Sequence, residues 1–253
     1  MGDHRLAPVA APIGFAVAVL VLWQVVAQVT GADPRIIPAP LDVGTALLRQ
    51  PGLLLGHATV TAAEMVLGFA MGAALGALIG VIVGSWVLAR RALYPWLVAS
   101  QTIPIPAVAA VLVIWFGFSI LPKLFVVALI TLFPVAVATA DGFASVDNDL
   151  VRLMRSFGAD ERTITREVRI PAALPFVFSG AKVAAALAVL GAVFGEWVGA
   201  RAGLGYLLLL EQRALDTDEV FAIIAVLSLL GIGFVALVSL LERLVIPWHV
   251  QHR

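Results

Sequence analysis

Long uncharged stretches constrain this chain more than any other feature of its sequence. Six stretches carry no charged residue or almost none: 6–28, 65–89, 92–122, 124–140, 172–198 and 220–241. A helix needs about 20 predominantly apolar residues to cross the hydrocarbon core of a bilayer. The sequence therefore predicts an all-α membrane protein that forms one domain over residues 1–253. Its six predicted transmembrane helices lie near residues 9–29, 60–84, 96–117, 122–141, 174–198 and 220–243.

The composition excludes several other classes of protein. Hydrophobic residues make up 62% of the chain and charged residues 13%, whereas a soluble domain has about half and about a quarter. These values exclude a water-soluble monomer and an intrinsically disordered chain. Lys and Arg together number 16, as do Asp and Glu, so no basic excess favours nucleic acid. Because cysteine is absent, disulfides, thiolate metal sites and a cysteine nucleophile are also excluded.

The placement of basic residues predicts the orientation in the cell (inner) membrane. With the N-terminus inside, cytoplasmic segments hold about twice as many Lys and Arg residues as external segments, so we expect both termini in the cytoplasm. The first span follows Arg5 and precedes Thr30-Gly31-Ala32, which resembles a signal-peptide cleavage site. Its apolar stretch is longer than the about 7–15 residues of a signal peptide, so we predict an uncleaved span.

Prolines predict irregular backbone inside two of the spans. Pro104 and Pro106 lie in the third span and Pro134 in the fourth. Proline removes a backbone donor and clashes with the preceding turn, so we expect both helices to be broken or kinked. Carbonyl groups freed near residues 102–105, together with Gln101, would line a pore; alternatively, the bend serves only packing.

The most polar segment within the membrane region is the loop 142–171, between the fourth and fifth spans. Asp147 or Asn148 is expected to cap a first helix, which Gly158 ends. Asp160 begins a second helix, which we expect Pro171 to stop. Apolar side chains recur there at helical spacing: Leu150, Leu153, Met154, Phe157, Ile164 and Val168. They either cover the bundle or the membrane surface, or they dock into a partner's groove.

Charged residues inside a span are costly and are therefore candidate functional groups. Glu64 and Glu196 lie at predicted outer ends of spans, where contact with water is the alternative to a role in transport. Asp141 either caps or remains solvated at the inner end of the fourth span. Lys182 either reaches the cytoplasmic headgroups or pairs with a carboxylate such as Asp141. The candidate substrate path or gate consists of Glu64, Gln101, Thr102, Pro104, Trp115, Asp141, Lys182 and Glu196.

Two other apolar features have competing interpretations. Five glycines repeat every four residues in the second span: Gly68, Gly72, Gly76, Gly80 and Gly84. This ridge favours close packing against another helix over a pore lining. Trp115, near the end of the third span, either anchors the helix at the membrane interface or stacks on a flat ring.

No enzyme motif is present in the sequence. It has neither a GxxxxGK[ST] phosphate loop nor a GxSxG elbow, and its four histidines lie apart, so we expect no catalytic residue and no metal site. Two classes of membrane protein are alternatives to a subunit of a larger transporter. One is a stand-alone ion-coupled secondary transporter, which would use an intramembrane carboxylate or Lys182. The other is an integral-membrane enzyme.

The loop resembles the signature loop of ABC importer permeases. That signature is Glu-Ala-Ala, three residues, Gly, nine residues and Ile-x-Leu-Pro. Here Gly158 is followed by nine residues and then by Val168-Arg169-Ile170-Pro171, while Arg152-Leu153-Met154 replaces the triplet. Other segments resemble permeases for nitrate, sulfonate and taurine: residues 38–43, Trp115-Phe116-Gly117, Phe133-Pro134, residues 171–175 and Gly203-Leu204-Gly205-Tyr206.

A closer likeness is to uptake permeases for thiamine-pyrimidine precursors and riboflavin. It rests on six segments: Thr61-Ala62-Ala63-Glu64, residues 100–105, Leu121-Pro122-Lys123, Asp141-Gly142, residues 153–158 and Gly195-Glu196-Trp197. The resemblance implies import of such a solute, with taurine, a sulfonate or nitrate as the alternative.

The resemblance also implies a type I ABC importer permease fold and a set of partners. These are cytoplasmic ATP-binding subunits, an extracytoplasmic solute-binding protein, and a second permease copy or a homologue. This chain would bind no cofactor, because ATP and Mg belong to the partner ATPase. The loop residues implied to dock that ATPase are Leu153, Met154, Arg155, Ser156, Phe157, Gly158, Ala159, Asp160 and Pro171.

Overall fold

The computed structural model describes residues 7–29, 33 and 36–250, and all regular elements among them are helices. A π-helical turn, Thr165–Arg169, joins α8 to α9. The prediction of an all-α membrane protein is confirmed. The helices are α1 (Ala7–Val29), α2 (Pro40–Arg49), α3 (Pro51–Ser85), α4 (Val87–Ser100), α5 (Ile105–Phe116), α6 (Leu121–Ala144), α7 (Asn148–Ser156), α8 (Glu161–Ile164), α9 (Ile170–Gly199), α10 (Leu204–Ala214), α11 (Thr217–Val245) and α12 (Pro247–Val250).

Four helical segments of the described chain are long and apolar enough to cross a membrane. They are α3, α6, the continuous segment Glu161–Gly199 and α11. The bent pair of α4 and α5 makes five if the two count as one span, and Ile13–Val29 of α1 forms a shorter apolar helix. The expectation of six spans therefore stays a prediction.

Helix α6 forms the centre of the bundle because α3 and α9 approach it closely from two sides. All five glycines of the α3 ridge face α6: a β-carbon at Gly72 would lie 2.5 Å from the carbonyl oxygen of Ala128. On the other side, a β-carbon at Gly180 of α9 would lie 2.6 Å from the carbonyl oxygen of Pro134. Small residues permit such close backbone contact, which drives helix association in lipid. The predicted packing role of the ridge is confirmed.

Apolar side chains complete the bundle outside this three-helix centre. Phe234 and Val238 of α11 pack against Ala181 and Ala185 of α9. The short helix α2 packs on the start of α11 through a separate small cluster. Helix α9 therefore packs against α6 on one face and against α11 on another.

The third predicted span is broken at the expected place. Helix α4 ends at Ser100, α5 begins at Ile105, and the two helices are bent by 92°. Pro104 is the residue just before α5 and has an extended conformation. Proline has a fixed φ and no backbone N–H, so it favours the start of a helix over its interior. By contrast, α6 continues through Pro134 without a break, because α3 and α9 pack closely against it.

Pro171 does not stop the second helix of the loop, contrary to the prediction. The helical chain continues from Glu161 to Gly199, and Pro171 is the second residue of α9. In the π-helical turn just before it, the N–H of Ile170 donates to the carbonyl group of Thr165, five residues back. This wider turn makes room for a proline ring, which in a regular α-helix clashes with the carbonyl group four residues earlier. The loop is therefore joined without a break to the fifth span.

We expect Gly72→Ala to lower the thermal stability of the purified protein in detergent. The added methyl group meets the α6 backbone, and overpacking of this kind costs about 1–3 kcal/mol. Gly56→Ala in the same helix is the control, because a β-carbon there has no atom within 4 Å. Unfolding midpoints measured by size-exclusion chromatography after heating give the comparison. Equal midpoints for the two variants would contradict the packing role.

Candidate functional site

The loop between α6 and α9 forms two short helices, α7 and α8, with defined ends. The Asp147 carboxylate accepts the N–H of Asp149 at 2.8 Å and begins α7, as one of the two predicted caps. Gly158 has φ +83°, a conformation that L side chains rarely adopt, and it separates α7 from α8. Asp160 accepts the N–H of Thr163 at 2.9 Å. This hydrogen bonding holds the pKa of Asp160 below its usual range, so its cap stays charged at neutral pH.

The two faces of this loop have different surroundings. Val151 and Ile164 are buried against the bundle, which agrees with the interpretation that the loop covers its base. Leu153 is exposed, and the Phe157 side chain is 80% exposed. The covering and docking interpretations therefore apply to opposite faces of the same loop.

An ion pair fixes the two helices of the loop relative to each other. The Arg155 guanidinium of α7 lies 2.6 Å from the Glu161 carboxylate of α8, and Arg169 lies 3.7 Å from the other oxygen of Glu161. Ser156 donates to the carbonyl group of Leu153 inside α7 at 2.7 Å. The exposed apolar side chains lie on α7, and this ion pair connects α7 to the helical segment that continues into α9.

A buried charge cluster lies at the other end of the bundle. Glu64 of α3 and Glu196 of α9 are each 1% exposed, and their carboxyl groups are neighbours. Nζ of Lys123, the third residue of α6, lies 3.1 Å from Oε1 of Glu64. The contact is an ion pair by distance, although neither Glu64 oxygen accepts a well-aligned hydrogen bond from the described residues. Glu64 is therefore not at a wet interface, which was the alternative expected from the sequence.

Glu196 binds the backbone that leads into α10. Its Oε2 accepts the N–H groups of Gly205 at 2.6 Å and Tyr206 at 3.1 Å. Thr61 of α3 donates to Oε1 of Glu196 at 2.7 Å and accepts the N–H of Leu204 at 2.8 Å. Gly203 has φ +114°, and a β-carbon there would collide with the Glu196 carboxylate. These bonds fasten the start of α10 to α3 and α9.

Lys182 pairs with a carboxylate, as one of the two interpretations predicted, but its partner is not Asp141. Nζ of Lys182 lies 2.7 Å from Oε2 of Glu242 on α11. Asp141 instead pairs with Arg90 of α4, whose Nη2 lies 3.0 Å from Oδ1. Lys182 lies on the side of α9 that packs on α11, whereas Asp141 faces α4 at the end of α6. Both intramembrane lysines, Lys123 and Lys182, thus have carboxylate partners.

The break between α4 and α5 borders a cavity of about 530 Å³ that α3, α6 and α9 also line. Gln101 lies in its wall, as predicted for a pore-lining residue, together with Ser100. Thr102 and Pro104 are exposed and are not part of this wall. Trp115 is also exposed and lies outside it. The candidate path residues therefore fall into separate places rather than one site.

Sequence reasoning did not identify Thr61 and Lys123 as parts of one site with Glu64 and Glu196. A signal for Thr61 was present. His57, Thr61 and Glu64 continue the line of the α3 glycines at intervals of three and four residues, so they lie on the same side of α3. No comparable spacing connects Lys123 or Glu196 to that line, because they lie on other helices.

The chain matches a family model described as binding-protein-dependent transport system inner membrane component, over residues 53–248. A formylaminopyrimidine transport permease protein, ThiX, of Halalkalibacterium halodurans is 37% identical over 94% of this chain and 95% of its own length. A riboflavin transport system permease protein, RibX, of Chloroflexus aurantiacus is 38% identical over 92% and 87% respectively. A putative aliphatic sulfonates transport permease protein, SsuC, of Escherichia coli is 34% identical over 97% and 92%.

Two solved structures share the fold. A crystal structure of an amino acid ABC transporter with histidines aligns with a TM-score of 0.64 at 18% identity, over 79% of this chain and 97% of that chain. An inward-facing structure of the MetNI methionine ABC transporter aligns with a TM-score of 0.56 at 20% identity, over 75% and 97%.

We expect Thr61→Val to destabilise the protein. Valine keeps the shape but leaves the buried Leu204 N–H and one Glu196 oxygen without a partner, at about 1–3 kcal/mol for each such group. Thr59→Val is the matched control, because the exposed Thr59 hydroxyl bonds only to the carbonyl group of Gly56 in its own helix. The midpoint of thermal unfolding should fall for Thr61→Val only. A fall of the same size in both variants would show that the α10 attachment is not responsible.

Proposed function

Because this chain belongs to the family of binding-protein-dependent transport system inner membrane components, we propose that it forms the path by which a small heteroaromatic solute enters the cytoplasm. It is a permease of an ABC importer, a multi-pass protein of the inner membrane and not an enzyme. The family match over residues 53–248 is the observation that carries this conclusion. Membership in this family excludes the alternative that the chain is a stand-alone secondary transporter.

ATP hydrolysis takes place in a separate chain in this family. We propose that the outer face of the α7–α8 loop docks this ATPase, and that the ATPase, not this chain, binds ATP and Mg. The support is geometric. Leu153 and Phe157 expose apolar surface, while Val151 and Ile164 anchor the opposite face. A short amphipathic helix of this kind suits insertion into a hydrophobic groove.

The unbroken helix after the loop supplies a route for coupling. From Glu161 to Gly199 the chain is helical over 39 residues, which at 1.5 Å per residue is about 58 Å. Movement of the docked loop would therefore displace α9 along its whole length. At the far end of α9, Glu196 binds the backbone at the start of α10. The nucleotide bound to the ATPase at the loop would thus favour one arrangement of the helices at the α10 end.

The remaining partners follow from the family. We propose that a solute-binding protein docks at the α10 end, and that a second permease copy or a homologue completes the pathway. The proposed orientation places both termini and the α7–α8 loop in the cytoplasm, in agreement with the excess of arginine on that side.

The proposed solute is a thiamine-pyrimidine precursor or riboflavin. The permeases named for formylaminopyrimidine and riboflavin are 37% and 38% identical to this chain over most of its length. The alternative, import of a sulfonate, taurine or nitrate, has the support of the sulfonate permease at 34% identity.

We expect Phe157→Ala to release the ATPase from the permease without unfolding it. The Phe157 side chain is largely exposed, so its removal leaves no cavity in this chain. Phe118→Ala is the control. Phe118 is 67% exposed but precedes α6, whose 24 residues place it about 36 Å from the loop. Purification in mild detergent with quantitative mass spectrometry should recover the ATPase near one-to-one with wild type and Phe118→Ala. Full recovery with Phe157→Ala would contradict the docking face.

We expect the importer assembled with its own ATPase and binding protein to take up formylaminopyrimidine or riboflavin in proteoliposomes. Uptake should require ATP and the binding protein, and excess taurine or nitrate should not compete. The measurement is accumulation of radiolabelled solute. ATP-dependent uptake of taurine or nitrate alone would replace the heteroaromatic substrate while leaving the importer function intact.

A further inference from the structure

The cavity at the α4–α5 break is a cleft that opens to the surface of this chain, where Trp96 is 75% exposed, and its wall combines aromatic, aliphatic and polar groups. Its wall contains the aromatic rings of Trp96 and Phe194. It also contains two uncharged polar side chains, those of Ser100 and Gln101. No charged residue is among the described residues that line it. Its volume of about 530 Å³ is within the range of small-molecule sites, about 300–1,000 Å³.

The polar groups of this wall are adjacent and available. The Ser100 hydroxyl donates to the carbonyl group of Leu97 at 2.7 Å, which leaves its oxygen free to accept a hydrogen bond. The Gln101 amide can donate and accept at once. Both residues lie at the end of α4, where the 92° bend turns the chain away. One edge of the cavity is therefore polar and the remainder is apolar.

The charge distribution discriminates between classes of solute. An anion that enters an apolar cavity needs a cationic partner, because a buried unpaired charge is very costly. Within the described helices both lysines are already neutralised, Lys123 by Glu64 at 3.1 Å and Lys182 by Glu242 at 2.7 Å. A sulfonate would therefore find no free lysine here. A neutral aromatic ring can instead place its faces on apolar and aromatic side chains and its polar edge on an amide and a hydroxyl.

We propose that this cavity binds a neutral, flat nitrogen heterocycle during transport, and that Ser100 and Gln101 select it through hydrogen bonds to the edge of the ring. This proposal rests on the proposed function and adds the site and the residues that determine specificity. The aromatic walls provide stacking, and because no cation is among the described residues of the wall, the cavity rejects anions.

The absence of native cysteine gives a direct test of occupancy. Leu129→Cys places a unique thiol in the cavity wall on α6. Leu229→Cys places one on the exposed face of α11, outside the wall, as the matched control. The permease–ATPase complex in nanodiscs is labelled with N-ethylmaleimide in the presence of formylaminopyrimidine, riboflavin or ethanesulfonate. We expect a heterocycle to slow labelling of Leu129→Cys at least five-fold, with no effect of ethanesulfonate and none on Leu229→Cys.

A second test measures selection. In the reconstituted importer, Ser100→Ala and Gln101→Ala should each raise the half-saturating concentration of the transported heterocycle about ten-fold, the effect of one lost hydrogen bond. Ser228→Ala is the matched control, because the Ser228 hydroxyl also bonds only to a carbonyl group of its own helix, that of Ile224. Its half-saturating concentration should equal that of wild type.

The two tests separate failure of the site from failure of the function. Heterocycle uptake with labelling of Leu129→Cys unchanged would overturn the cavity proposal and leave the proposed function standing. Slow labelling with no response to any solute would overturn it also, because a lipid chain or a second copy would then fill the groove. Protection by ethanesulfonate and ATP-driven uptake of that anion would overturn both the cavity's selectivity and the proposed solute class.

Discussion

The architecture depends on the close approach of α3 and α9 to α6. In a bilayer the apolar side chains gain little by leaving lipid for protein, so helices associate through backbone proximity and interhelical polar contacts. The five-glycine ridge of α3 and the glycines of α9 supply that proximity on neighbouring faces of α6. These close contacts account for the continuity of α6 through Pro134.

The same close contact makes the buried charge cluster possible. Gly195 lies against Lys123, so α9 comes near enough to α6 for Glu196 and Lys123 to belong to one group with Glu64. An isolated charge in the bilayer interior is costly, and pairing with hydrogen bonding offsets the cost. Glu196 satisfies backbone N–H groups at the start of α10, where no helical partner exists for them. The hydrogen bonds to Glu196 thus act together with the apolar contacts of Leu204 and Leu207 to hold the start of α10.

Much of the helical fold and part of the site could be predicted from the sequence, for identifiable reasons. The glycine interval in α3, the break at Pro104 and the limits of the loop at Asp147, Gly158 and Asp160 are local patterns, and local patterns determine caps, turns and faces. The pairing of Lys182 could not be derived, since Glu242 is 60 residues away and only the packing of α11 on α9 brings them together.

Pro171 shows a different limit, because the local rule was correct but a rarer backbone solution satisfied it. A proline ring conflicts with the carbonyl group four residues before it, and a π-helical turn removes that conflict without ending the helix. Helical continuity at Pro171 determines how rigidly α8 is connected to α9. A helix that ended at Pro171 would have left a flexible joint between the loop and the membrane. Because the joint at Pro171 is instead helical, the chain from Glu161 to Glu196 is one continuous helix, and α7 with Phe157 is connected to it across Gly158 by the Arg155–Glu161 ion pair.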